Sequence, residues 1–234
     1  MDTIEANGLR LAYSTRGAAS APPVILLHSL GESGSAWDVV APALAGTHRV
    51  FAVDLRGHGS SDRAGEYSFE LMRDDLRAAL DALGLSKVTL IGHSLGAVVS
   101  WLLAGEDPER VDRLVLEEPP PPVAANPPRT LPEDPDPDAP FDWNAVAAIY
   151  RQRNEPDPAY WDLLKRITAP TLVIAGGQQS QLPQDELARI AELVPDGHMT
   201  TIPAGHHVHR DQPEAFIAAV SAFLSGNRPS GQTP

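Results

Sequence analysis

Ser94 stands in the pentapeptide Gly92-His93-Ser94-Leu95-Gly96, after the apolar run VTLI and before the helix-like run AVVSWLLA. Glycine two residues before and two after a serine lets the chain make a tight strand-to-helix turn that lifts the hydroxyl clear of the backbone. A serine hydroxyl is a weak nucleophile. It attacks a carbonyl only when an imidazole takes its proton and a carboxylate fixes the imidazole tautomer and offsets the charge it gains. The chain carries eight histidines, three of them in the segment HHVH (His206, His207 and His209). Two stretches compete for the carboxylate. TLVIAGGQQSQLPQ reads as a buried strand opening into a loop, but it offers Gln178, Gln179 and Ser180 and no acid before Asp185. RLVLEEPPPP places Glu117 and Glu118 at the end of another apolar run. A glutamine cannot carry the negative charge that an imidazolium requires.

The elements around these residues are legible from periodicity. TIEANGLRLAYST alternates about Asn7-Gly8, a pair that favours positive φ at both turn centres, and predicts a β-hairpin. PPVILLH, RVFAVDL, KVTLIG, RLVLEE, PTLVIAG and HMTTIPAG read as strands, several of them apolar throughout, as strands buried on both faces are. Between them, Phe69, Met72, Leu76, Leu80 and Leu83 form one helical stripe with Ser68 as its N-cap. Further helices are expected over 95–104, 185–193 and 213–224, the last with proline in its first turn. Strands alternating with helices imply an α/β fold with a mainly parallel sheet flanked by helices.

One segment breaks the rhythm. Residues 119–140 hold ten prolines and four acids, so the reading there is an extended loop. FDWNAVAAIYRQRN and PAYWDLLKRI then predict two short helices before the sheet resumes at Thr171. This divides the chain into a core of 1–118 and 169–225, a Pro-rich loop and small helical cap at 119–168, and a disordered tail at 226–234. Trp37, Trp143, Tyr150 and Trp161 are candidates for apolar pocket walls, with packing as the alternative for each.

Composition sets further limits. The net charge of −13 repels phosphate backbones, so no nucleic-acid partner is expected. The chain has no cysteine, which removes disulfides, thiolate catalysis and cysteine-held zinc. It shows no signal-peptide pattern and no apolar run of membrane-spanning length, and a cytoplasmic protein without a membrane partner is the default.

Four motifs together resemble the α/β-hydrolase superfamily over nearly the whole chain: the elbow at Ser94, the turn His28-Ser29-Leu30-Gly31, the segment FAVDLRGHGSSDR, and PAGHHVHRDQPEAF. The resemblance implies that family's eight-stranded, mostly parallel sheet with a short cap insertion. It implies an oxyanion hole from the backbone amides of Leu30 and Leu95, although Ser29 replaces the more usual glycine. It implies His206 as the base, with His207 and His209 supporting or solvent-facing, and a structural role for His28. Some members carry a glutamate after the strand next to the nucleophile's strand. Aligned on the family's strand ending in x-Asp-Pro, Glu118 takes the acid position. Side chains alternate along a strand, so Glu117 faces the other way, and Glu117 and Asp185 remain the competing choices.

The resemblance thus implies a serine hydrolase acting on a small hydrophobic ester or lactone, with no cofactor and no metal. The same triad could serve carbon–carbon bond hydrolysis or a cofactor-free non-hydrolytic reaction, and the fold without catalysis could serve as a ligand-binding receptor. A covalent-aspartate dehalogenase is disfavoured by the serine at the elbow.

Overall fold

In the computed structural model, residues 1–131, 136 and 138–226 are described. Of the tail expected at 226–234, all but Gly226 lies outside them, as do positions 132–135 and 137 of the Pro-rich stretch. The strands are β1 (Asp2–Ala6), β2 (Leu9–Arg16), β3 (Pro23–Leu27), β4 (Arg49–Val53), β5 (Val88–His93), β6 (Val111–Glu117), β7 (Thr171–Ala175) and β8 (Gly197–Thr201). The helices are α1 (Ala41–Leu44), α2 (Phe69–Ala82), α3 (Leu95–Glu106), α4 (Trp143–Asn154), α5 (Tyr160–Leu164), α6 (Gln184–Leu193), α7 (Val208–Asp211) and α8 (Pro213–Leu224). The strands form one eight-stranded sheet in the order β1-β2-β4-β3-β5-β6-β7-β8. Only β1–β2 and β2–β4 pair antiparallel; the other neighbours are parallel.

Local chemistry accounts for the elements. Asn7 and Gly8 both take positive φ, 52° and 77°, as a tight hairpin turn requires. Ser68 caps α2 by accepting the Leu71 N–H at 3.1 Å. Alternation along the buried strands builds a core layer on each face of the sheet. Ile25, Leu27, Phe51 and Leu90 pack with α2 and α3 on one side, whereas Val24, Leu26, Val50 and Ile91 pack with Trp37 and α8 on the other. Trp37 is therefore core, not pocket wall.

The helices between β6 and β7 dock on the α2 and α3 side. Gln152 of α4 accepts the Phe69 N–H at 2.8 Å and donates to Glu70 at 2.8 Å, and Tyr67 donates to Asp142 at 2.6 Å. Trp161 of α5 lies under the Arg189 guanidinium, 4.0 Å from ring centroid to cation. No helix among the described residues is long and apolar enough to cross a membrane. The ends of β3, β5, β6 and β7 open on one edge, the carboxyl edge at which parallel sheets bind ligands.

Candidate active site

Ser94 joins β5 to α3 with φ 50° and ψ −108°, a backbone state that residues other than glycine rarely adopt. The flanking glycines are required by space. A Cβ on Gly92 would sit 2.3 Å from the Gly96 carbonyl oxygen, and one on Gly96 would sit 2.3 Å from that of Leu27. The strained turn is held by backbone bonds, Ser94 N–H to the Glu117 carbonyl at 3.0 Å and Gly96 N–H to the His28 carbonyl at 3.1 Å. The amides of Leu30, in the turn after β3, and of Leu95, at the start of α3, donate to no acceptor among the described residues. His28 supports that turn from below. Its Nε2 accepts the Leu55 N–H at 3.0 Å while Nδ1 bonds the Ser29 carbonyl at 2.7 Å, which fixes one neutral tautomer. Burial accordingly pushes its pKa down to about 3.

Glu118 is the first residue past β6. It has φ 47°, it is fully buried, and its carboxylate has a built surround. Oε1 accepts the Gly176 N–H at 2.5 Å and the Gln184 amide at 3.4 Å, and Oε2 accepts the Ser180 hydroxyl. Oε2 also meets Nδ1 of His206 at 3.2 Å. Burial alone would raise the Glu118 pKa, but the hydrogen bonds from His206, Ser180 and Gly176 outweigh it and hold the carboxyl below its ordinary range. With Nδ1–H directed at Glu118, the lone pair of His206 is left on Nε2. Three strand ends meet in this arrangement: β6 supplies Glu118, the loop after β7 its hydrogen-bond donors, and the loop after β8 the histidine.

The loop after β7 thus has a different use from that of holding the acid. Gln178 and Gln179 are exposed, and the donors to Glu118 are Gly176, Ser180 and Gln184. Asp185 is exposed in the first turn of α6, where an acid suits the helix dipole.

Glu117 is as buried as Glu118 and faces the other side. Both of its oxygens reach Nδ1 of His209, at 3.0 and 2.8 Å, and Oε1 takes the His209 N–H at 2.8 Å. His209 is therefore not solvent-facing, as one sequence reading allowed, but 1% exposed and packed 4.4 Å from the Trp37 ring. His93, beside the nucleophile, completes the group. Its Nε2 donates to the His206 carbonyl at 2.7 Å, and its Nδ1 lies 3.6 Å from Glu32, which follows the Leu30-Gly31 turn. A carbonyl only accepts, so Nε2 carries a proton; a second proton on Nδ1 then meets a carboxylate. Burial opposes that charge, but Glu117 and Glu32 outweigh it and raise the His93 pKa. Glu32 is pushed up by burial and held down by His93, His209 and His207, to about 2. His93, Glu117 and His209 bring ligating atoms within 4.8 Å of one another, but the hydrogen bonds just given already engage Glu117, His209 Nδ1 and His93 Nε2.

The pH dependence of this buried pair follows from its sign. Burial raises Glu117, the charges of His93 and His209 lower it more, and the net direction is down from 4.5. Its contribution to stability is present above that ordinary value and is lost as pH falls through the folded value. Glu117→Gln is expected to lose about 1–3 kcal/mol at neutral pH. The gap to wild type should shrink in acid below the ordinary carboxylate range, as urea unfolding on the two sides of that range would measure.

Comparison with known proteins places these features in a family. The family model described as the alpha/beta hydrolase fold matches residues 22–159. The sn-1-specific diacylglycerol lipase ABHD11 of Mus musculus is 28% identical over 93% of this chain and 86% of its own length. A solved hydrolase from Pseudomonas aeruginosa PA01 superposes with TM-score 0.84 at 28% identity, over 95% of this chain and 97% of that one. The enol-lactonase from Burkholderia xenovorans LB400 superposes with TM-score 0.81 at 22% identity, over 96% and 100% of the two chains, a likeness of fold.

Proposed function

Because the chain belongs to the alpha/beta hydrolase family, we propose that it is a serine hydrolase cleaving a small apolar carboxylic ester or lactone through an acyl-enzyme on Ser94. The observation that carries this reading is the buried Glu118 carboxylate against Nδ1 of His206, beside the strained Ser94 turn. The lipase relative supports ester chemistry.

The roles follow from the atoms. Ser94 Oγ attacks the carbonyl carbon as its proton passes to Nε2 of His206. Glu118 holds Nδ1–H and stabilises the imidazolium that forms. The negative charge gathering on the carbonyl oxygen is received by the free amides of Leu30 and Leu95, with the N-terminal end of α3 behind the second. Collapse of the intermediate expels the alcohol, which takes the proton from Nε2; in a lactone it stays attached to the acyl group. Water then gives a proton to His206, attacks the acyl carbon and restores Ser94, releasing the acid. The scheme needs no cofactor and no metal.

Incubation with a fluorophosphonate is expected to give a single adduct, located on Ser94 by peptide mass analysis, with turnover of 4-nitrophenyl butyrate lost in parallel. Folded protein that takes no label and turns over no short-chain ester would remove the hydrolase reading.

A further inference from the structure

Two arginines in the segment between β6 and β7 lack an acidic partner among the described residues. Arg129 donates its backbone N–H to Asn154 at 2.9 Å and one guanidinium N–H to the Arg153 carbonyl at 3.4 Å. The Arg153 guanidinium, in the last turn of α4, forms no hydrogen bond or ion pair with them. Each guanidinium carries five N–H donors. Both residues are half-buried, and both line a cavity of about 320 Å³ with Thr130, Tyr150, Gln181 and Leu182.

The arrangement is unfavourable as it stands. Burial first, and then the charge of Arg129, push Arg153 down to about 10. The chain has 31 acids against 18 lysines and arginines, yet no carboxylate among the described residues lines this cavity. Compensation of the α4 dipole does not account for Arg153, since the exposed Arg151 already serves the same helix end. A desolvated cation pair with no carboxylate partner among the described residues is what a bound anion relieves.

The cavity is linked along the chain to the surround of Glu118. Gln181 and Leu182 follow Ser180, whose hydroxyl donates to Glu118, and the Leu182 N–H returns to Ser180 at 3.0 Å. Arg153 also borders a second, apolar space of about 20 Å³, room for about one water, with Val98, Trp101, Pro120 and Pro121. Val98 lies one turn beyond Ser94, and Pro120 and Pro121 follow Glu118 by two and three residues.

We propose that the Arg129–Arg153 cavity is a subsite for the carboxylate of an acidic ester or lactone, one whose acyl part carries a second, distal carboxyl group. This rests on the serine-hydrolase reading and replaces its apolar acyl group with an acidic one. The guanidinium fork takes the charged end of the acyl chain. A chain of net charge −13 repels an anionic substrate in general, so such a substrate needs a local cationic site.

The test separates binding from turnover. Calorimetry on the Ser94→Ala protein with glutarate, inorganic phosphate and the neutral dimethyl glutarate reads binding alone. Glutarate is expected to bind, the diester not, and Arg129→Gln/Arg153→Gln to weaken glutarate about tenfold or more. In protein with Ser94 intact, the ratio of kcat/KM for mono-4-nitrophenyl glutarate to that for 4-nitrophenyl pentanoate is expected to fall about tenfold in the double arginine variant. Arg151→Gln, exposed on the same helix, should leave that ratio alone. Glutarate binding that is absent, or equal in the double variant, overturns the site. Phosphate binding as tight as glutarate with no preference for the half-ester makes it a free-anion site and overturns the substrate assignment. Failure of the hydrolase reading is distinct, since it shows as unlabelled Ser94 while glutarate still binds.

Discussion

Glu118→Gln is expected to lower kcat on a nitrophenyl ester about 10³- to 10⁴-fold with little change in KM. Gln fits the same space. Its carbonyl oxygen can still accept the Gly176 N–H that Glu118 takes at 2.5 Å, so the variant should fold. Two things fail. The amide carries no charge to offset the imidazolium, and an NH₂ turned toward Nδ1 of His206 makes that nitrogen an acceptor. The ring proton then moves to Nε2, the atom that has to receive the serine proton. Asp185→Asn, on an exposed helix turn, is expected to stay within about twofold of wild type, as surface changes away from such features do. Glu117→Gln should cost activity only a few-fold, because Glu117 reaches His209 and not His206. The same kinetic assay on the three variants decides the matter. Near-wild-type Glu118→Gln with a crippled Asp185→Asn would move the acid to the loop after β7, and a crippled Glu117→Gln alone would invert the strand face.

What was legible in the sequence was local or strictly periodic. Gly92 and Gly96 bracket Ser94 because backbone crowds both positions, and that constraint leaves a short motif. The strands read clearly because β3, β5 and β7 are buried on both faces, which leaves apolar runs bounded by turn residues. The pairing of Glu117 with His209 was not legible, since 92 residues separate them. One signal for it was present: adjacent glutamates at the end of a buried strand point to opposite faces, so each needs its own partner, and HHVH holds three histidines. His93 was hidden for another reason. It reads as a spacer within the elbow motif, and its link to the His206 carbonyl depends on how two loops meet. Ser180 and Gln184 were masked by the absence of an acid between them and the strand. The loop carries no carboxylate of its own and supplies the donors that stabilise Glu118, just past β6.

That division of labour makes Gly176 the most sensitive position of the loop. Its N–H donates to Glu118, and its carbonyl accepts the N–H groups of Ala204 at 3.1 Å and Gly205 at 3.0 Å. One residue therefore joins the acid to the loop that carries His206. Its backbone, φ −82° and ψ −1°, suits any residue, so conformation does not explain the glycine. Space does. An added Cβ would lie 1.8 Å from the Gly205 carbonyl oxygen and 3.1 Å from Oε1 of Glu118. The first contact is with backbone and cannot be relieved by rotating a side chain, so Gly205 and the adjoining His206 have to move away from Glu118. Gly176→Ala is expected to cost about 1–3 kcal/mol of stability from overpacking. The larger effect is on chemistry, because displacing the base by about 1 Å is enough for a loss of about 10²-fold in kcat. Ser180→Ala is the informative companion, since it removes one hydrogen bond from the same carboxylate without pushing the loops apart, and it should lose much less. Denaturant unfolding together with the rate of fluorophosphonate labelling of Ser94 reads both consequences. A folded Gly176→Ala that labels and turns over at the wild-type rate would mean that the contact between these two loops does not position His206.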